Sequence, residues 1–410
     1  MKDIHRKTRK AAKSRKADSA PACPSCGSTS VVLLPPPHPS RCMASDGRVM
    51  PYPLVRGSCD MCGYGFRVRI LSENDRDDLY DSNYALGLDD LAADERRAQG
   101  YAEVIGELFL RHARPRASPL TVIEFGPGTG ALLTALTSRL PTARALGIEP
   151  AEQLAASSRA RVPTQVTIQH DYAESSTVQE GSFDLCVSVN VIEHASSPSD
   201  FLTASRRAVR ADGVVIVVCP GGEVAGTELL FADHVSSFSL AALSGFAERA
   251  GLRLVESFPL SAAQSGFRIS LFVPAHPYAR SLTTQAAPRL TVDRSRYMQG
   301  WRELSDGAAE FLSGPEFYVF GTGEFCDLLE AYAPELIERA VGFVVDTPLC
   351  AVRNGRPILS TESFIAAKEG APLLAAVNPR SWKAMQARFA GLGVEIRHPF
   401  EFCSLRIELD

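Results

Sequence analysis

No apolar run in this 410-residue chain approaches the roughly 20 residues needed to cross a bilayer, so the sequence offers no membrane span. The basic N-terminus is not followed by an apolar segment, so it does not read as a secretory signal, and a cytoplasmic setting is expected. Basic residues form no stripe along the body, which argues against nucleic acid as a partner. The formal net charge is −4, yet the first sixteen residues, "MKDIHRKTRKAAKSRK", hold eight Lys or Arg against one Asp, leaving the remainder near −11. A basic end on an acidic body reads as a solvated, disordered tail over residues 1–19. What remains is ordinary: 45% hydrophobic and 22% charged residues, the composition of a globular protein of two or three domains.

The ten cysteines are unevenly placed, and four fall in two pairs, "CPSCG" and "CDMCG". Outside a secretory context, such pairs point to a metal site rather than a disulfide framework. Cys23, Cys26, Cys59 and Cys62 supply four thiolates, a set that suits tetrahedral structural zinc and leaves no open position for catalysis. The 32 residues between the pairs exceed the common ribbon spacing, so an insertion is expected there, and His38 or Cys42 could replace one ligand. The zinc module is placed at residues 20–75.

From residue 76 to 275 apolar strands alternate with amphipathic helices: "LTVIEFG", then "GALLTALTSRL", "ARALGIE", "VTIQH", "FDLCVSVN", "SDFLTASRRAVR" and "GVVIVVCP". This is the grammar of a doubly wound, mostly parallel α/β sheet. A linker at 276–314 should end in a bridging helix. Residues 315–410 repeat the pattern, with "EFYVFGTGEF" as a strand entering a glycine turn and a Rossmann-like α/β domain as the expected result. That turn lacks a third small residue, which favours a lid or scaffold over a second cofactor site.

"EFGPGTGA" lies between a strand and a helix, where Gly126, Gly128 and Gly130 let a ligand approach the backbone at a helix N-terminus. Glu149 ends the next strand, placed to accept both hydroxyls of a ribose. That much fits a nicotinamide dinucleotide or S-adenosylmethionine. The order and spacing of "IEFGPGTG", "GIEP", "HDYAE", "FDLCVSVNVIEHASSPSDFL" and "RADGVVIVVCPG" resemble the class I S-adenosylmethionine-dependent methyltransferases. The resemblance implies that Glu124 and the glycines hold the methionine end, Glu149 the ribose, Asp171 and Tyr172 the adenine, with Asn190 on the floor. Glu193–His194 reads as a structural pair closing its loop.

With the zinc pairs and the trailing α/β block, the chain after residue 20 resembles the sugar C-methyltransferases of antibiotic biosynthesis. That resemblance implies a small-molecule substrate, a nucleotide-linked keto-deoxy sugar, methylated on carbon with zinc and S-adenosylmethionine bound. Such chemistry needs a base beside the reacting carbon and a donor near the carbonyl. "DHVSSFS" stands where the family carries an acid–histidine pair, which makes His234 the general base and Asp233 its supporting carboxylate, the latter one methylene shorter than the usual Glu. Ser237 replaces an aromatic residue, so a changed substrate contour is expected. Tyr80 and Tyr84 of "LYDSNYALG" are placed to close over the cofactor or to donate to the substrate. Other readings stay open: an O- or N-methyltransferase, a repurposed S-adenosylmethionine binder, and a nicotinamide-dependent oxidoreductase.

Overall fold

Buried aliphatic runs fix the central sheet. Every residue of Leu120–Phe125 is buried, as is nearly all of Phe183–Val189 and of the apolar half of Val209–Pro220. Strands apolar on both faces must be covered on both faces, which is the situation of a parallel sheet between helices. The computed structural model describes residues 21–68, 90–112, 119–140, 142–261, 264–275, 287–367 and 370–409. The basic tail, Tyr80 and Tyr84 lie outside the described residues.

The central sheet has seven strands in the order Leu252–Pro259, Phe267–Pro274, Val209–Pro220, Phe183–Val189, Leu120–Phe125, Thr142–Glu149 and Val166–His170. Phe267–Pro274 runs antiparallel to both of its neighbours, and the other pairings are parallel. The helix 91–112, which carried no motif, buries Ile105 and Leu108 on one side of this sheet. The helices Pro198–Ala208 and Leu240–Arg249 cover the other side. Strand Val209–Pro220 begins four residues before the expected "GVVIVVCP", taking Val209 and Arg210 from the end of the expected helix.

A six-stranded sheet follows, ordered Val352–Arg353, Arg356–Ser360, Gly342–Val345, Tyr318–Phe320, Leu373–Ala375 and Ile396–Arg397. All its pairs are parallel except the hairpin at the Val352 edge. The bridging helix is Pro288–Gly307, which sends Trp301 and Leu304 into the core of this second sheet. The same core takes in Leu34, Cys42, Met43 and Leu54 from the N-terminal module.

The module itself contributes three antiparallel strands, Val31–Leu33, Arg56–Cys59 and Gly65–Arg67. Its fourth strand comes from far along the chain: Ser236–Ser237 pairs antiparallel with Gly65–Phe66. Two buried arginines secure that junction. Arg56 donates to the carbonyls of Leu229, Phe231 and His234, and Arg294 of the bridging helix donates to the carbonyls of Gly63 and Gly222. A buried guanidinium is costly unless its N–H groups are matched, and backbone carbonyls together with the Ser58 and Ser237 hydroxyls match most of them here. Among the described residues no helix is long and apolar enough to cross a membrane.

Candidate active site

The glycine loop 126–130 leaves the central sheet at its carboxyl edge and enters the helix Ala131–Arg139. Gly126, Gly128 and Gly130 have φ of 73°, 52° and 81°. These lie in the left-handed region, where a side chain is strained. A Cβ on Gly126 would stand 2.4 Å from Val191 Cγ2, whereas one on Gly128 would meet nothing within 4 Å. Gly126 is therefore needed for packing, and Gly128 keeps a surface open.

That surface is the floor of a cleft of about 990 Å³. Glu124, 2% exposed, ends the first strand with one carboxyl oxygen lacking any partner. Burial, with Glu149 and Asp94 nearby, holds its carboxyl well above the usual range. An unmatched buried acceptor of this kind fits the cationic amino group of S-adenosylmethionine, which would relieve the cost of leaving it unpaired. Glu149 accepts from the N–H groups of Gly128 and Ala151, both at 2.9 Å. It thus ties the glycine loop to the neighbouring strand as well as facing the cleft, a second duty that spacing alone did not reveal. Tyr172 lines the cleft, while Asp171 accepts from the Tyr172 N–H and the Ser175 hydroxyl. Asn190, with a left-handed φ of 56°, follows the fourth strand of the chain's α/β pattern and bonds the Tyr101 hydroxyl.

Two imidazoles line the same cleft. His194 and His234 pack edge to face with centroids 4.7 Å apart. Burial, then the charge of His194, pushes His234 down to about 3, so its ring is neutral at any physiological pH. The Glu228 carbonyl draws one of its ring N–H groups, while Nδ1 has no partner. Asp233 does not orient His234. Its oxygens accept from the Ser45 N–H at 2.9 Å and the Ser45 hydroxyl at 2.5 Å, and one lies 3.5 Å from His194 Nδ1. Burial alone would raise the Asp233 carboxyl, but the two imidazoles and Ser45 bring it below its usual value. Glu193, 1% exposed, lies beside both histidines, with ligating atoms of the three residues within 4.8 Å of one another. Both residues of the Glu193–His194 pair, read as closing their loop, also line the cleft.

The histidine loop rests on the cysteine module. Besides the Arg56 contacts, Arg67 donates to the Ala232 carbonyl, Tyr64 and Ser236 share a hydrogen bond of 2.6 Å, and Ser239 donates to the Cys62 carbonyl. Ser237, where a changed substrate contour was expected, is part of this seam: it pairs with Gly65 and donates to Glu228. Cys23, Cys26, Cys59 and Cys62 converge, with Cys23–Cys62 and Cys26–Cys59 sulfur pairs at 3.6 Å. Zinc–sulfur bonds of about 2.3 Å set a tetrahedral edge of about 3.8 Å, so the four residues fit the ion. His38 and Cys42 stay outside the group: His38 Nδ1 accepts from the Ser40 N–H, and Cys42 is buried in the core shared with the C-terminal sheet.

The structure thus brings Glu124, Gly126, Gly128, Glu149, Tyr172, Asn190 and His234 around one cleft, while Gly130 and Asp171 stand outside its lining. Asp233 backs that wall through Ser45 and His194. Sequence reasoning missed Asp94, which accepts from the Thr129 hydroxyl of the glycine loop, and Tyr101. Both sit on a helix with no motif to flag them. It also missed Glu324, Asn378 and Arg380, through which the C-terminal domain walls the same cleft.

None of the curated proteins matches the chain. Similar solved structures include an S-adenosylmethionine-dependent methyltransferase from Mesorhizobium loti, at 15% identity and TM-score 0.36 over 43% of this chain and 99% of that one. The mitomycin 7-O-methyltransferase MmcR is similar at 18% identity and TM-score 0.37, covering 45% of this chain and 54% of that chain. The carbon methyltransferase CurJ is similar at 12% and 0.38, covering 47% and 60%. Residues 123–217 match the methyltransferase domain family. Since that stretch runs through the strands carrying Glu124, Glu149 and Asn190, the chain is an S-adenosylmethionine-dependent methyltransferase on a class I, Rossmann-like α/β fold.

Proposed function

We propose that the enzyme methylates a carbon of a small carbon acid, and that this substrate is a nucleotide-linked keto-deoxy sugar of secondary metabolism. The observation that carries the reading is His234: a neutral imidazole with an unpartnered nitrogen, in the wall of the cleft that the glycine loop also lines. A carbon beside a ketone becomes nucleophilic only once a proton leaves it, and His234 is the group that takes it. Asp233 acts through His194 and Ser45, holding the loop and the facing imidazole in place.

Bound S-adenosylmethionine supplies an electrophilic methyl group. Glu124 and the glycines would take its amino-acid end, Glu149 its ribose and Tyr172 its base. Cys23, Cys26, Cys59 and Cys62 would hold one zinc ion that stiffens the module under the histidine loop. The C-terminal domain is scaffold and wall. Incubation with methyl-labelled S-adenosylmethionine and a nucleoside-diphosphate 4-keto-6-deoxyhexose tests the reading by carbon NMR of the product. A label bonded to a ring carbon supports it. A label on oxygen or nitrogen, or none, overturns it.

A further inference from the structure

Glu193 has no assigned role in the reaction described so far, although it is the most sheltered carboxyl group of the cleft wall near the histidines. It is 1% exposed, and neither oxygen has a hydrogen-bond partner in another residue. A carboxylate taken from water and left unmatched costs several kcal/mol, whereas a neutral carboxyl costs far less and offers an O–H. The groups facing it are Tyr101, Cys219, Glu228, Asp233, His194 and His234. Burial, followed by the charges of Glu228 and Asp233, pushes Glu193 up to about 8.

Two other donors in this wall are engaged. The Tyr101 hydroxyl bonds Asn190 and the Ser45 hydroxyl bonds Asp233, while His194 Nδ1 lies 3.5 Å from Asp233 without a hydrogen bond. Glu193 alone among these stands beside both imidazoles with its carboxyl unspent.

We propose that Glu193 is the general acid of the reaction, a neutral carboxyl whose O–H meets the substrate's carbonyl oxygen while His234 removes the proton from the adjacent carbon. The inference rests on the carbon-acid reading above and deepens it. His234 Nδ1 takes the proton, the C–H electron pair becomes the C=C bond, and the carbonyl π pair moves onto oxygen, which the Glu193 proton meets. When that carbon gives its pair to the methyl carbon, the methyl–sulfur pair stays on sulfur, the C=O bond re-forms and the proton returns to Glu193. His234 then releases its proton to water. Acid and base sit on separate loops, after Phe183–Val189 and after Val209–Pro220, so both can face one C–C=O unit.

The test uses the full-length protein and Glu193→Gln, which keeps shape and an N–H but has no proton to pass. Infrared difference spectra at pH 7 should show a neutral-carboxyl band that Glu193→Gln abolishes; its absence from the wild type overturns the assignment. Deuterium exchange from heavy water into a nucleoside-diphosphate 4-keto-6-deoxyhexose, followed without methyl donor, should slow about a hundredfold in the variant. Because the acid form is required, the wild-type rate should fall as pH rises through about 8, and that limb should vanish in Glu193→Gln. Exchange undiminished in the variant overturns the role of Glu193 alone. No exchange in the wild type overturns the enolate reading and the role with it. A metal ion beyond the cysteine-bound one, lost in Glu193→Gln, shows a cation-binding trio instead and also overturns the proposal.

Discussion

Two turns in this protein are written in nearly the same letters, "FGPGTGA" after Leu120–Phe125 and "FGTGEF" after Tyr318–Phe320. Each follows a buried parallel strand and opens a nine-residue helix. Their surroundings differ. The first turn presents Gly128 to a cleft and has the buried Glu124 behind it. The second is filled by protein: Arg353 donates to the Thr322 carbonyl and pairs with Asp327 and Glu330, and Glu324 is the first helical residue. Acidic side chains in a first turn satisfy the helix dipole that would otherwise draw a phosphate. A strand–glycine–helix unit is thus a cofactor floor only where its helix end is left unfilled. The second turn serves the first, since Glu324 lines the same cleft.

The comparison breaks most sharply at the chemistry, which it assigns wholly to the first turn's cleft. His234→Ala should lose about 10²–10⁴ in turnover while calorimetry finds S-adenosylmethionine affinity unchanged; a variant keeping more than a tenth of the rate would remove His234 from the mechanism. Next comes Glu149→Ala, expected to weaken cofactor binding by about 1.5–3 kcal/mol, on the order of ten- to a hundredfold. Because Glu149 also anchors Gly128, binding enthalpy should fall with affinity, and unchanged affinity would detach the first turn from the cofactor.

The glycines themselves separate the two turns. Gly128→Ala puts a Cβ into open space at a left-handed φ, and cofactor affinity should drop about tenfold. Gly321→Ala, at φ +99° with a Cβ 2.8 Å from the Ala376 carbonyl oxygen, should instead cost about 1–3 kcal/mol of stability in denaturant titration and leave cofactor affinity alone. The reverse pattern would exchange their roles. The smallest effect is expected from Gly323→Ala, where φ is −89° and a Cβ meets nothing. Stability there should stay within about 0.5 kcal/mol, and a loss of S-adenosylmethionine binding would mean that the second turn holds a ligand after all.

Much of this was legible in the residues. Period and glycine placement located the strands from Leu120 to Pro220, because a buried parallel strand is nearly all aliphatic and leaves little ambiguity. The cysteine pairs announced their own convergence. The partners of His234 were not legible. Asp233 is its sequence neighbour, yet the extended chain sends the two side chains to different places, and the imidazole beside His234 belongs to a loop forty residues earlier. Asp94 and Tyr101 were hidden for a related reason: on an amphipathic helix they look like any polar or packing position. The wall made by Glu324, Asn378 and Arg380 depends on how two sheets dock, and no local pattern encodes docking.

The seam between Gly65–Arg67 and Ser236–Ser237 sets an order of assembly. Tyr64 and its partner Ser236 are 172 residues apart, so the cysteine module emerges from the ribosome long before its last strand exists. Closing so long a loop adds little entropy cost, which grows only logarithmically with length, but it makes the closure a late, non-local event. Until then Gly65–Arg67 is an open edge with Phe66 beside it, the kind of surface on which nascent chains aggregate. A chain stopped at residue 230 should accordingly be sticky even with its metal site filled. The loop carrying His234 is tied to the cysteine module through Arg56, so this wall of the cleft is among the last parts of the molecule to form.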